Sequence, residues 1–131
     1  MTNERPVHVQ ELPRALTQEN ADIFFEVVEP FLKANKPYLV FDFSKVARLD
    51  GAGVEVLLNC TQEVMKRNGD LKLAAVSPES AVILELTRVD RLFEIFETTS
   101  EAVESFYRFP VQVSQDPPFW QSASVAQPNA A

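Results

Sequence analysis

Tyr38-Leu39-Val40-Phe41-Asp42-Phe43 is a nearly unbroken apolar run, and Ser44 to Leu49 then leads to Asp50-Gly51-Ala52-Gly53-Val54, where a helical pattern opens. A continuous apolar strand suits a position buried on both faces; a strand with one wet face would alternate. From about Gly51 to Asn68 the period lengthens to that of a helix. Val54, Leu57, Leu58, Thr61, Val64 and Met65 fall on one side, and Glu55, Asn59, Gln62, Glu63 and Lys66 on the other. Gly69 follows where a left-handed residue would end the helix, and Leu71 to Val76 is a second apolar strand. A helix joining two such strands crosses over right-handed. The two strands are therefore expected to be adjacent, parallel and central.

Val7 to Leu12 alternates as a strand with Val7 and Val9 on one face, Pro13 closes it, and a short extended piece follows at Arg14 to Leu16. Thr17 is the expected N-cap of a helix whose apolar stripe is Ala21, Phe24, Phe25, Val28, Phe31 and Leu32. Pro30 interrupts that stripe and predicts a kink or an early end near Glu29. Downstream, Ser77-Pro78-Glu79 is a helix start with a serine cap and proline at the first position, running to about Thr87. Leu92 to Phe96 reads as a short strand, and Ser100 as the cap of a last helix through Phe106. Strands alternating with helices give an α/β fold: a small mixed, mainly parallel sheet with helices packed against it. After Arg108 prolines become frequent, at Pro110, Pro117, Pro118 and Pro128, and Asp116 is the only charge. Residues 1–108 are expected to form the domain, and 109–131 a tail that is disordered or draped on it. Within that tail, Phe119-Trp120 either docks on the body or on a partner, or is inert.

The chain has 131 residues, 46% hydrophobic and 24% charged, which suits one domain with one core. A formal net charge of −7 argues against binding to nucleic acid and favours a protein partner with a basic patch. Cys60 is the only cysteine and His8 the only histidine, so the sequence offers no internal disulfide and no metal cluster built on these residue types. No run approaches the roughly 18 to 20 apolar residues that span a bilayer, so direct membrane insertion is not expected. Met1 to Pro6 lacks the apolar middle of a secretory leader, and a cytoplasmic location is the expectation. No cofactor motif is legible. Asp50-Gly51-Ala52-Gly53 has neither the spacing of a dinucleotide fingerprint nor the lysine of a P-loop.

Four pieces, in order, resemble the STAS family, the sulfate-transporter and anti-sigma-factor-antagonist domains. Tyr38 to Ser44 is similar to the family's strand ending in Leu-Asp-Leu-Ser, Leu49 to Val54 to its turn at the second helix, and Asn68 to Leu73 to its glycine turn and next strand. Ile83-Leu84-Glu85-Leu86-Thr87-Arg88-Val89-Asp90-Arg91-Leu92-Phe93 resembles Leu-Glu-Leu-Thr-Gly-Leu-Asp-Arg-Leu-Phe, with Arg88 where the family often has glycine. The resemblance spans about Val7 to Phe106. In the family the turn commonly reads Asp-Ser-Ser-Gly or Asp-Ser-Thr-Gly, and its second hydroxyl is phosphorylated; Ala52 stands in that place. Ser44, the nearest serine, falls on a structural turn position.

The resemblance implies a non-enzymatic interaction module like an anti-sigma factor antagonist, binding an anti-sigma factor or related kinase-like regulator without the usual phosphorylation switch. The alternative it leaves open is a cytosolic subunit of a lipid-transport ATPase. A small flavodoxin-like enzyme would need a cofactor site that the sequence does not show. The implied partner-binding surface is Asp50, Gly51, Ala52, Gly53, Glu55, Val56, Asn59 and Glu63. Asp50 suits an N-cap, favoured by the helix dipole, and a partner contact is compatible with that role. Asp42 is expected to hold the loop by hydrogen bonds or, with a second titratable group nearby, to act as a base. Cys60 reads as a small packing residue within the helix.

Overall fold

Residues 6–107 are described by a computed structural model. Strands β1 (Val7–Glu11), β3 (Tyr38–Asp42), β5 (Asp70–Ala74) and β6 (Ile95–Phe96) form one sheet in the order β1-β3-β5-β6, and every pairing in it is parallel. The Tyr38–Asp42 and Asp70–Ala74 strands sit side by side in the interior, in register from Tyr38 opposite Asp70 to Asp42 opposite Ala74. Both faces of the pair are covered. Leu39, Phe41, Leu71 and Leu73 face helices α1 (Ala21–Leu32) and α2 (Gly51–Met65), while Val40 and Ala74 pack with Ala102 of helix α4 (Thr99–Tyr107) on the opposite face. Helix α3 (Pro78–Leu86) and a short 3-10 turn, Val89–Leu92, add Leu84 and Val89 to the larger core. Ser77 caps α3 as expected, its Oγ accepting from Ser80 N–H at 3.1 Å.

Several helix ends differ from the expectation. Thr17 is not the cap of α1. Its carbonyl accepts from the N–H groups of Asn20 and Ala21, and Asn20 Oδ1 accepts from Thr17 N–H, so Thr17 to Asn20 is a separate tight turn before the helix. Pro30 does not stop α1. It falls in the last turn, where only its own missing N–H is lost, and Lys33 N–H still reaches Glu29 carbonyl at 3.1 Å. Phe31 leaves the core stripe and stacks on His8 with ring centroids 3.7 Å apart. At the end of α2 the left-handed residue is Asn68, with φ 62°, and not Gly69. Gly69 is required for a different reason: Pro37 carbonyl occupies the space a Cβ would need. Thr98, rather than Ser100, caps α4, its Oγ1 accepting from Glu101 N–H at 3.1 Å. Arg88 is left-handed at φ 64°, at a cost of about 1 kcal/mol for a residue with a Cβ.

One buried cation lies between α4 and the sheet. Lys72 Nζ donates to Ser105 Oγ at 2.6 Å, pairs with Glu94 at 3.1 Å and stands 4.2 Å from the Phe106 ring centroid. The feature that positions the site is a two-stranded parallel ribbon away from the main sheet, β2 (Ala15–Leu16) with β4 (Arg48–Leu49). Its pairing of Leu16 with Leu49 brings the N-terminal strand connection against the start of α2. The tail at 109–131, including Phe119-Trp120, and the expected boundary at 108 lie outside the described residues.

Candidate partner-binding site

β4 ends at Leu49, and the extended backbone of Asp50 turns the chain into α2. Asp50 Oδ1 accepts from Gly53 N–H at 2.9 Å, which is the expected cap. Oδ2 accepts from Gln18 N–H at 3.0 Å, a residue 32 positions away. One carboxylate thus closes the helix and ties it to the turn before α1. The Gly53 and Gln18 amides together hold the Asp50 carboxyl below the usual carboxylate range, so it stays ionised.

The two glycines have different duties. A Cβ on Gly51 would meet nothing within 4 Å, whereas one on Gly53 would run into the Leu16 carbonyl. Gly53 is buried and lets the β2 backbone approach the first turn of α2. Ala52 is half-buried, its methyl resting on the edge of the core. Gly51, Glu55 and Asn59 are exposed and stand one helical turn apart, forming an outward stripe. Glu63 continues it half-buried, accepting from Lys66 Nζ and Arg67 Nη1, both at 3.1 Å, which keep its carboxyl low.

Val56 does not belong to this surface. It is 5% exposed and shares a face with Gly53, Leu57, Cys60 and Val64 against the core. Residues three, four, seven and eleven positions apart fall on one face of a helix, and placing Val56 among the polar residues misjudged the phase. Asp42 supports the neighbouring loop, its Oδ1 accepting from Ser44 N–H at 2.9 Å. Cys60 is buried, and desolvation with the Glu63 charge pushes its thiol up to about 12, which removes thiolate reactivity. Among the described residues, no three of His, Cys, Asp and Glu come together to hold a metal ion, and no helix is long and apolar enough to cross a membrane. The sequence carried no sign of the Gln18 and Leu16 contributions. Both depend on the β2–β4 pairing, whose two-residue strands are too short for any periodicity.

The family model for the STAS domain matches residues 2–102. A candidate anti-sigma factor antagonist of Thermotoga maritima is 32% identical over 98 residues, which cover 72% of this chain and 85% of that protein. The crystal structure of a candidate anti-sigma factor antagonist from the same organism superposes with a TM-score of 0.71 at 28% identity, covering 78% of this chain and 88% of the other. The anti-sigma factor antagonist SpoIIAA, in its unphosphorylated form, shares the fold at a TM-score of 0.67 and 15% identity, with 82% and 93% of the two chains covered.

Proposed function

This chain belongs to the STAS domain family, and on that premise we propose that it is a non-enzymatic regulator of the anti-sigma factor antagonist kind, docking on an anti-sigma factor or a related kinase-like regulator. The docking surface is Asp50, Gly51 and Ala52 of the turn with Glu55, Asn59 and Glu63, and Gly53 supports it from beneath. The observation that carries this reading is the turn itself. Asp50 pins it at both oxygens, so Gly51, Glu55 and Asn59 are held outward on a preorganised helix start. A rigid epitope loses little conformational entropy on binding.

The same turn lacks a hydroxyl at 51 and at 52. A phosphoryl group at residue 52 would add about −1.5 to −2 charge at the start of α2 and oppose docking by bulk and repulsion. The Ala52 methyl accepts no phosphoryl group, so docking here is set by the supply of partner and competitor and not by modification of this residue. The test is Ala52→Glu. A tagged full-length chain captures the partner from native lysate, mass spectrometry identifies it, and calorimetry then compares the purified pairs. The substitution should weaken binding by about tenfold or more, roughly 1.4 kcal/mol, with the circular dichroism spectrum retained. Unchanged affinity moves the interface away from this turn.

A further inference from the structure

Next to the turn is a cavity of about 320 Å3 between β4 and the first turn of α3, lined among others by Thr17, Arg48, Leu49, Asp50, Glu79 and Ser80. Thr17 is 8% exposed and Ser80 3%. Among the described residues, neither hydroxyl has a hydrogen-bond partner. Thr17 makes its bonds through the backbone, and Ser80 gives its N–H to Ser77 Oγ. Buried hydroxyls in folded proteins are nearly always bonded, so these two are left to water or to a group that enters the cavity.

The charges around the cavity indicate which group. Asp50 and Glu79 bring two carboxylates and Arg48 one guanidinium. Neither Glu79 nor Arg48 has an ion pair among the described residues. An anion would meet both carboxylates and find few donors at the start of α3: Pro78 has no N–H, and the N–H groups of Ser80 and Ala81 are committed to Ser77. A cation meets acceptors except on the side of Arg48. An ammonium carries three donors and a guanidinium five, matching two free hydroxyls and two carboxylates, while Leu49 and Ile83 offer apolar wall to an aliphatic stem. Arg48 and Glu79 are both exposed, where solvent screens their charges, and the half-buried Asp50 is the least screened of the three.

We propose that this cavity receives a basic side chain, lysine or arginine, of the protein partner, beside the turn on which the partner docks. The proposal rests on the docking function given above. It also gives the chain's net charge of −7 a local use, because a basic partner surface would be oriented with one residue seated next to Asp50.

A small probe tests it without the partner. The full chain, labelled with nitrogen-15, is titrated by NMR with N-acetylarginine methylamide and separately with N-acetylglutamate methylamide. The arginine probe should give saturable shifts at the amides of Gln18, Glu79 and Ser80, and the glutamate probe none. Glu79→Gln, an exposed change, should weaken the arginine probe roughly two- to fivefold, the scale of a partly exposed ion pair. Thr17→Val should weaken it as well. No saturable shift at these amides, a preference for the glutamate probe, or undiminished affinity in Glu79→Gln would overturn the proposal. Because no partner is involved, such a failure leaves the docking function to its own calorimetric test.

Discussion

Replacing either glycine of the Asp50–Gly53 turn by alanine should move stability in opposite directions, although the two positions are two residues apart. At Gly51 the added methyl has open space around it, and the backbone is outside the left-handed region. Alanine there restricts the unfolded chain and favours the helix, a gain of about 0.4–1 kcal/mol. At Gly53 the same methyl overlaps the Leu16 carbonyl and lies 2.8 Å from Leu49 Cδ1. Overpacking costs about 1–3 kcal/mol, towards the upper figure when the obstacle is backbone that belongs to a paired strand. The helix preference of alanine returns up to about 1 kcal/mol, leaving a net loss near 2 kcal/mol. Urea unfolding followed by circular dichroism measures both variants. For a domain of this size about 1 kcal/mol corresponds to roughly 4–8 °C in Tm, so Gly53→Ala should melt some 8–16 °C lower and Gly51→Ala a few degrees higher. Both variants shifting together, or Gly53→Ala matching the parent protein, would refute the close approach of β2 to α2.

Two further changes probe other parts of the fold. Lys72→Met should cost less than about 1.5 kcal/mol, since the stem is retained and the Glu94 carboxylate left behind is exposed to water; Lys72→Glu should unfold the α4 contact, placing a carboxylate beside Glu94 and the Phe106 ring face. Equal damage from the two in thermal unfolding would show that the charge of Lys72 does not hold α4. The Asp50 carboxyl titrates below its unfolded value, so its contribution is complete above about pH 4 and is lost as pH falls through the folded value. Asp50→Asn should therefore lose less stability than the parent between pH 7 and pH 3, read as the urea midpoint at each pH; parallel losses would mean that the two amide bonds do not favour the ionised form.

Much of the fold is legible because long apolar runs report burial without ambiguity. Tyr38 to Asp42 lacks alternation because each face of the strand meets a different core, whereas Asp70 to Ala74 meets the same two cores with Lys72 buried among its apolar residues. The errors gather at helix ends. Thr17 and Ser100 both read as caps, yet Asn20 precedes α1 and Thr98 caps α4, because hydroxyl and amide side chains cluster near every helix start and sequence does not say which one accepts. Pro30 predicts a kink or an early end near Glu29, yet α1 runs on to Leu32, since a proline in the last turn forfeits one bond and nothing after it.

The site divides along the same line. Asp50 as a cap follows from local sequence alone, because its partner Gly53 is three residues on. Its second bond, to Gln18, depends on where a two-residue ribbon sets down a distant turn, and no local pattern encodes that. Val56 shows how a local pattern misleads. Its neighbour Glu55 is exposed, but a step of one residue rotates the helix by about 100°, enough to carry a side chain from solvent to core. A docking surface on α2 must therefore follow the four-residue spacing of Gly51, Glu55 and Asn59. Gly53 and Val56 act from beneath, fixing how closely α2 lies against β2 and the core. Substitutions there should change affinity only through stability, whereas those on the exposed stripe should change affinity with the unfolding midpoint intact. Measuring both quantities on Val56→Ala and Asn59→Ala separates the two layers, and an affinity loss in Val56→Ala without a loss of stability would return Val56 to the surface.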